Sequence, residues 1–215
     1  MSKKELERRS YSFEIRAEED DKGKIITGRP IVYDQKTDLG WFDEVIERGA
    51  LDGANLTDVR FLVNHDKSRI PLARSRRNNG NSTMQMSVDM YGLNLDYVLL
   101  DTENNSEARA LYSAVQRGDI SGMSFMFSID EERWENLESD HPTRHILKIG
   151  TVVEVSAVTF PAYESTEIYA RSKEALENAR SAMDIARRQN AESVDTDQKQ
   201  LELEKLKTKI LTGGN

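Results

Sequence analysis

Cysteine is absent from the 215 residues, which excludes disulfides, thiolate-zinc sites and a cysteine nucleophile. Aromatic residues make up only 7% of the chain and prolines number four. Long apolar runs are missing too: nothing approaches the roughly 18 residues of a membrane span. Met1 to Tyr11 is polar, unlike the apolar stretch of a signal peptide. The sequence therefore predicts a soluble protein that stays in the cytoplasm in which it is made. Positive charge is in deficit, with 30 Lys and Arg against 38 Asp and Glu, a net charge of -8 and an isoelectric point near 5.1. That sign is wrong for a protein that grips nucleic acid phosphates or anionic lipid. Neither a P-loop nor a dinucleotide fingerprint is present.

What is there is unevenly distributed. Every proline and every aromatic residue lies at or before Tyr169, so a folded domain over 1–169 and an extension over 170–215 are expected. In the extension, Ser172 to Asn190 and Asp197 to Leu211 are rich in helix formers and read as two helices. The polar stretch Ala191 to Thr196 reads as a hinge between them. Lacking aromatic mass, these helices must dock, pair with another chain or stay mobile.

Before Tyr169 the apolar period is mostly two, as strands require. Strands are expected over Ser10 to Arg16, Lys24 to Tyr33, Asp58 to Asn64, Met84 to Val88, Leu93 to Leu100, Asp119 to Ile129 and His145 to Phe160, the last interrupted at Gly150. Asp89-Met90-Tyr91-Gly92 reads as a hairpin turn. Ser106 to Arg117 reads as a helix, with Ala108, Leu111, Tyr112 and Val115 on one face and Gly118 as its stop. Many short strands with few helices predict a mainly β fold of the α+β kind: a closed or nearly closed antiparallel β-barrel with flanking helices and a helical C-terminal extension.

Several residues stand out chemically. Alternation puts Met123, Phe125, Phe127 and Ile129 on a core face and Gly122, Ser124, Met126 and Ser128 on the other, where Gly122 leaves an opening beside the Ser124 hydroxyl. An ordinary half-exposed strand would look the same. Glu154 sits inside the apolar strand Thr151 to Val158, so its carboxylate needs a partner, either an arginine or a catalytic histidine. His65 shares the parity of Val59, Phe61 and Val63 and stands at the end of that strand, as a structural histidine or as a general base. His141 and His145 have an i, i+4 spacing, but Pro142 intervenes and no thiols complete a metal site. Gly122-Met123-Ser124-Phe125-Met126 lacks the second glycine and the following helix of a nucleophile elbow.

Taken in order, several stretches resemble the prohead maturation proteases of tailed bacteriophages, serine proteases similar in fold to the herpesvirus capsid protease, assemblin. They are Gly28-Arg29-Pro30-Ile31-Val32-Tyr33, Glu44 to Leu51, Asn64-His65-Asp66 followed by Ile70 to Arg74, Tyr91-Gly92-Leu93, Ile120 to Phe127 and Glu154 to Tyr163. The resemblance implies a serine endopeptidase with Ser124 as nucleophile, His65 as general base and Glu154 as the group that orients His65. Assemblin uses a second histidine in the third position, which makes His145 the alternative there. Met126 stands where the family pattern has glycine.

No cofactor is implied. The implied partners are the major capsid protein with its scaffolding segment, and the chain itself through self-cleavage and homodimer formation. The implied place is the viral procapsid in the host cytoplasm. Ala191 to Thr196 is the expected site of self-cleavage, and the helical extension the expected means of entering the shell. Arg74, Arg76, Arg77 and Arg144 are candidate oxyanion donors. The rival reading is a non-enzymatic scaffold or assembly factor that binds capsid protein through the helical tail.

Overall fold

The structure, a computed structural model, describes residues 6–11, 15–77, 79–159 and 173–211. Among these the chain forms eleven strands and two helices. The strands are β1 (Glu7–Tyr11), β2 (Ile15–Asp20), β3 (Gly23–Val32), β4 (Lys36–Asp38), β5 (Asp43–Ile46), β6 (Arg60–Val63), β7 (Ala73–Arg74), β8 (Met84–Asp89), β9 (Gly92–Leu99), β10 (Gly122–Glu135) and β11 (Thr143–Val158). The helices are α1 (Ser106–Arg117) and α2 (Lys173–Leu211).

One sheet has the order β2-β3-β9-β8, all antiparallel neighbours. The other runs β1-β10-β11-β5-β4. In it β11 divides one edge between two parallel partners, β5 along Thr143–Ile146 and β6 along Glu154–Ala157, while β10 takes the whole of its other edge. β7 then pairs with β6. A mainly β fold is therefore what forms, but the expected closed barrel does not: both sheets are open. The reason is the branching at β11, which spends one edge on two strands instead of passing it on around a ring. Two of the outer strands are short, β4 with three residues and β7 with two, which limits their use as edges for another chain.

Inward faces of both sheets share one core with α1, including Ile26, Leu95, Phe125, Phe127, Val155 and Leu111. The alternation in β10 decides which residues enter it, because Met123, Phe125 and Phe127 point one way and are fully buried. Helix α1 forms where its period places it. Asn105 caps its N-terminus by accepting from the Glu107 and Ala108 amides, and Gly118 ends it in a left-handed conformation (φ 80°). The β8–β9 hairpin turns through Met90 and Tyr91, with Asp89 accepting from the Tyr91 and Gly92 amides at 2.8 and 3.1 Å.

Four expectations are corrected. The strand expected over Ser10 to Arg16 divides: residues 10–11 end β1 in one sheet and residues 15–16 begin β2 in the other, with 12–14 outside the described residues. The strand ending at Phe160 stops at Val158, and Gly150 does not interrupt it. The pairing register shifts there instead, between Ser128↔Thr151 and Ile129↔Ile149. A side chain at Gly150 would lie 2.0 Å from the Asp130 carboxylate, which would have to move to admit it.

The third correction concerns the two helices and hinge expected after Ser172. They are one helix, α2, because Ala191 to Thr196 contains no proline or glycine to stop the helix formers on either side. The chain divides into two compact units, the second starting at Leu176 within α2. The fourth concerns the outer face of β10, where Gly122, Ser124, Met126 and Ser128 are buried rather than half-exposed.

Candidate active site

Parallel pairing of β6 with β11 sets Val63 against Ala157 and brings the following turn over the end of β11. Asn64 and His65 both take left-handed backbone angles (φ 51° and 59°), which is uncommon for residues with a Cβ and costs on the order of 1–3 kcal/mol each. A set of hydrogen bonds holds them there. Asn64 N–H donates to the Ala157 carbonyl at 2.9 Å, and its side chain exchanges 3.0 Å bonds with the Thr159 hydroxyl and amide. His65 N–H donates to Ser156 Oγ at 3.2 Å. This turn, and not continued strand alternation, places the imidazole: β6 ends at Val63, so parity with Phe61 does not carry through to His65.

The His65 ring lies almost wholly out of solvent, and its Nδ1 pairs with Glu154 Oε1. Glu154 is 2% exposed. Its second oxygen accepts from Ser156 Oγ at 2.7 Å. Of the two partners open to the buried carboxylate, it has a histidine. Ser156 thus bonds both the carboxylate and the histidine backbone, a role no spacing revealed. The only signal in the sequence was that it shares the parity of Glu154 on β11.

Across the sheet, β10 sets Ser124 opposite Ser156 and Met126 opposite Glu154. Directly opposed residues point to the same face with Cβ atoms about 4.5–5.5 Å apart, so Ser124, Ser156, Glu154 and the His65 ring share one side of the sheet. Ser124 is fully buried, and its hydroxyl donates to the Arg9 carbonyl of β1 at 2.6 Å. His65 Nε2 is buried and makes no hydrogen bond among the described residues. The histidine–carboxylate half of a proton relay is assembled, and the serine proton is directed to another acceptor.

His145 is brought elsewhere. Nine residues before Glu154 on β11, it pairs with Glu47 through Nδ1 at 2.6 Å and approaches Glu135 at 3.2 Å. His141 joins Asp43 at 3.1 Å, near Asp38, at the surface. Ligand atoms of Asp38, Asp43 and His141 lie within 4.8 Å of one another, but Asp43 is already paired with Lys36 at 2.6 Å, so the group is an ion-pair cluster. The four candidate oxyanion arginines disperse. Arg74 is bound by Asp58, Arg76 and Arg77 are exposed in a turn, and Arg144 is buried among Glu7, Glu44 and Glu132.

That last cluster contains Arg9 as well, held by both oxygens of Glu44 and by Glu7. Burial works to raise the Glu7 carboxyl, but the Arg9 and Arg144 guanidiniums outweigh it and hold the group below the ordinary carboxylate range. Burial likewise works to lower Arg144, and Glu7 and Glu44 carry it above its usual value.

A family model described as caudovirus prohead serine protease matches residues 11–181. That stretch contains His65, Ser124 and Glu154. Neither a curated protein nor a solved structure matches the chain.

Proposed function

The chain belongs to the caudovirus prohead serine proteases, and from that premise we propose that it is an endopeptidase working through Ser124, His65 and Glu154. His65 Nε2 takes the Ser124 proton as Oγ attacks the scissile carbonyl carbon. The tetrahedral intermediate collapses to an acyl-serine as the imidazolium protonates the departing amine. Water, deprotonated by the same imidazole, then attacks the ester, and the imidazolium returns the proton to Ser124 Oγ as the acid is released. Glu154 keeps the proton on Nδ1, so that Nε2 is the basic nitrogen, and stabilises the imidazolium when it forms. Ser156 holds the carboxylate's other oxygen and so fixes its orientation.

The observation that carries this reading is the His65–Glu154 pair on the sheet face shared with Ser124, with Nε2 left over. A prohead protease works on capsid proteins within the procapsid. For this chain we assign the major capsid protein with its scaffolding segment as substrates, together with the chain itself as a homodimer. Residues 1–169 carry the chemistry and 170–215 mediate incorporation into the shell. Residues 191–196 are helical, so self-cleavage there would require that turn of helix to open into an extended segment first. Membership of a serine peptidase family sets aside the non-enzymatic assembly factor.

Ser124→Ala should abolish processing of capsid substrate while leaving the fold and incorporation intact, read by gel analysis of proheads and circular dichroism. Cleavage at the normal rate by that variant would falsify the assignment.

A further inference from the structure

β1 adds antiparallel to the outer edge of β10, with Arg9 opposite Phe125 and Ser10 opposite Ser124. Residues 7–10 precede the stretch by which the family is recognised, which starts at residue 11. Strand addition is a general way of receiving an extended peptide, since main-chain bonds hold it and alternate side chains enter pockets. β1 does both. Glu7 and Arg9, two apart and so on one face, are 5% and 6% exposed. The Arg9 guanidinium binds Glu44 at 2.6 Å and lies 5.8 Å from the Phe127 ring centre. Glu7 receives two 2.9 Å bonds from Arg144.

The carbonyl of the pocketed arginine is the one that Ser124 meets. A serine hydroxyl has one proton to give, and here it goes to Arg9 O. His65 Nε2 is buried and unbonded, a state that costs on the order of 1–3 kcal/mol. The contact joins a hydroxyl to a carbonyl oxygen, which is a hydrogen bond and not attack on the carbon, so β1 sits on the nucleophile without reacting.

The surroundings also say what else fits. With β1 absent, Arg144 would remain with Glu132 at 2.9 Å and Glu44 at 3.4 Å, one cation facing two carboxylates. The vacated pocket is net negative and suits arginine or lysine. The Arg144 nitrogens that held Glu7 suit an acidic side chain two residues earlier.

We propose that the edge of β10 is the surface on which this enzyme receives an extended substrate segment of the type Glu-x-Arg. Glu44 selects the basic side chain, Arg144 selects the acidic one, and β1 is the resident occupant that a substrate displaces. The inference rests on Ser124 being the nucleophile, as proposed above.

The full-length protein is treated with two peptidyl phosphonate esters, Glu-Ala-Arg and Glu-Ala-Gln, and the labelled residue is located by mass spectrometry. The arginyl ester should label Ser124 about tenfold faster than the glutaminyl one, the equivalent of one charge-assisted contact. In the arginyl-labelled protein the amides of residues 7–11 should lose protection from hydrogen exchange. Glu7→Gln, which loosens β1 without touching the proposed triad, should raise the labelling rate by a similar factor. If that variant fails to fold, exchange in the labelled wild type still decides. Equal labelling by the two esters, or protected amides at 7–11 in the labelled protein, would overturn the inference and leave the protease reading standing. Failure of both esters to label Ser124 would overturn both together.

Discussion

His65 occupies a backbone conformation that residues with a Cβ avoid, and the surrounding bonds hold it there: Ser156 Oγ at its amide and Asn64 latched to Thr159. Ser156 is the hinge of that arrangement, because its hydroxyl also donates to Glu154. Ser156→Ala removes two bonds at once and leaves a buried carboxylate oxygen unsatisfied. The expected outcome is a stability loss of about 1–3 kcal/mol in urea unfolding. A fall of roughly tenfold in kcat with little change in KM should accompany it, the equivalent of one contact made to the transition state. Glu154→Gln should keep the fold but lower kcat by roughly three to four orders of magnitude, as a carboxamide favours the wrong imidazole tautomer. A change of only about twofold would show that the carboxylate is not the orienting group. Glu154 was legible as a costly residue in an apolar strand, while Ser124 and His65 each had an ordinary reading and were singled out by the resemblance to the family. Ser156 was not, because a serine on a strand is ordinary until its two partners are seen.

Elements with a clear apolar period were the legible ones. α1 falls where its apolar spacing put it, with the expected four residues buried. β4, β5 and β7 have two to four residues, too few to show alternation, and went unread. The irregular pairing of β10 with β11 lies in register shifts between them, which no single-strand pattern contains. The β8–β9 hairpin gives a test at this scale. Arg29 beside Asp89 outweighs an opposing burial penalty and, together with the Tyr91 and Gly92 amides, lowers that carboxyl from 3.8 to about 2. A carboxyl lowered on folding contributes stability that is present above its unfolded value and is lost as pH falls through its folded one. Asp89→Asn should therefore lower the melting temperature near neutral pH, and its difference from wild type should shrink between about pH 4 and pH 2. A difference that persists undiminished at the acid end would mean that the hairpin does not depend on the charge.

At the scale of the molecule, composition separated a strand-rich part from a helical one but could not say whether the sheet closes. Closure depends on which strands share β11, and its division between β5 and β6 is a long-range choice invisible to local periodicity. The uneven composition also bears on what the C-terminal part does. The family match ends at residue 181, inside α2, while the candidate catalytic residues all lie at or before Glu154. A helix of 39 residues, about 58 Å long at 1.5 Å per residue, is far more than a stop to the chain requires. The proposed role of this helix in entering the shell is tested by removing it. Deleting residues 171–215 should therefore leave kcat/KM for a short peptide within about twofold, and the deleted protein should be missing from purified proheads. Peptide hydrolysis and immunoblots of the particles measure the two separately. Normal incorporation would refute the role given to α2, and loss of peptide hydrolysis by a folded deletion variant would show that the helix serves the chemistry.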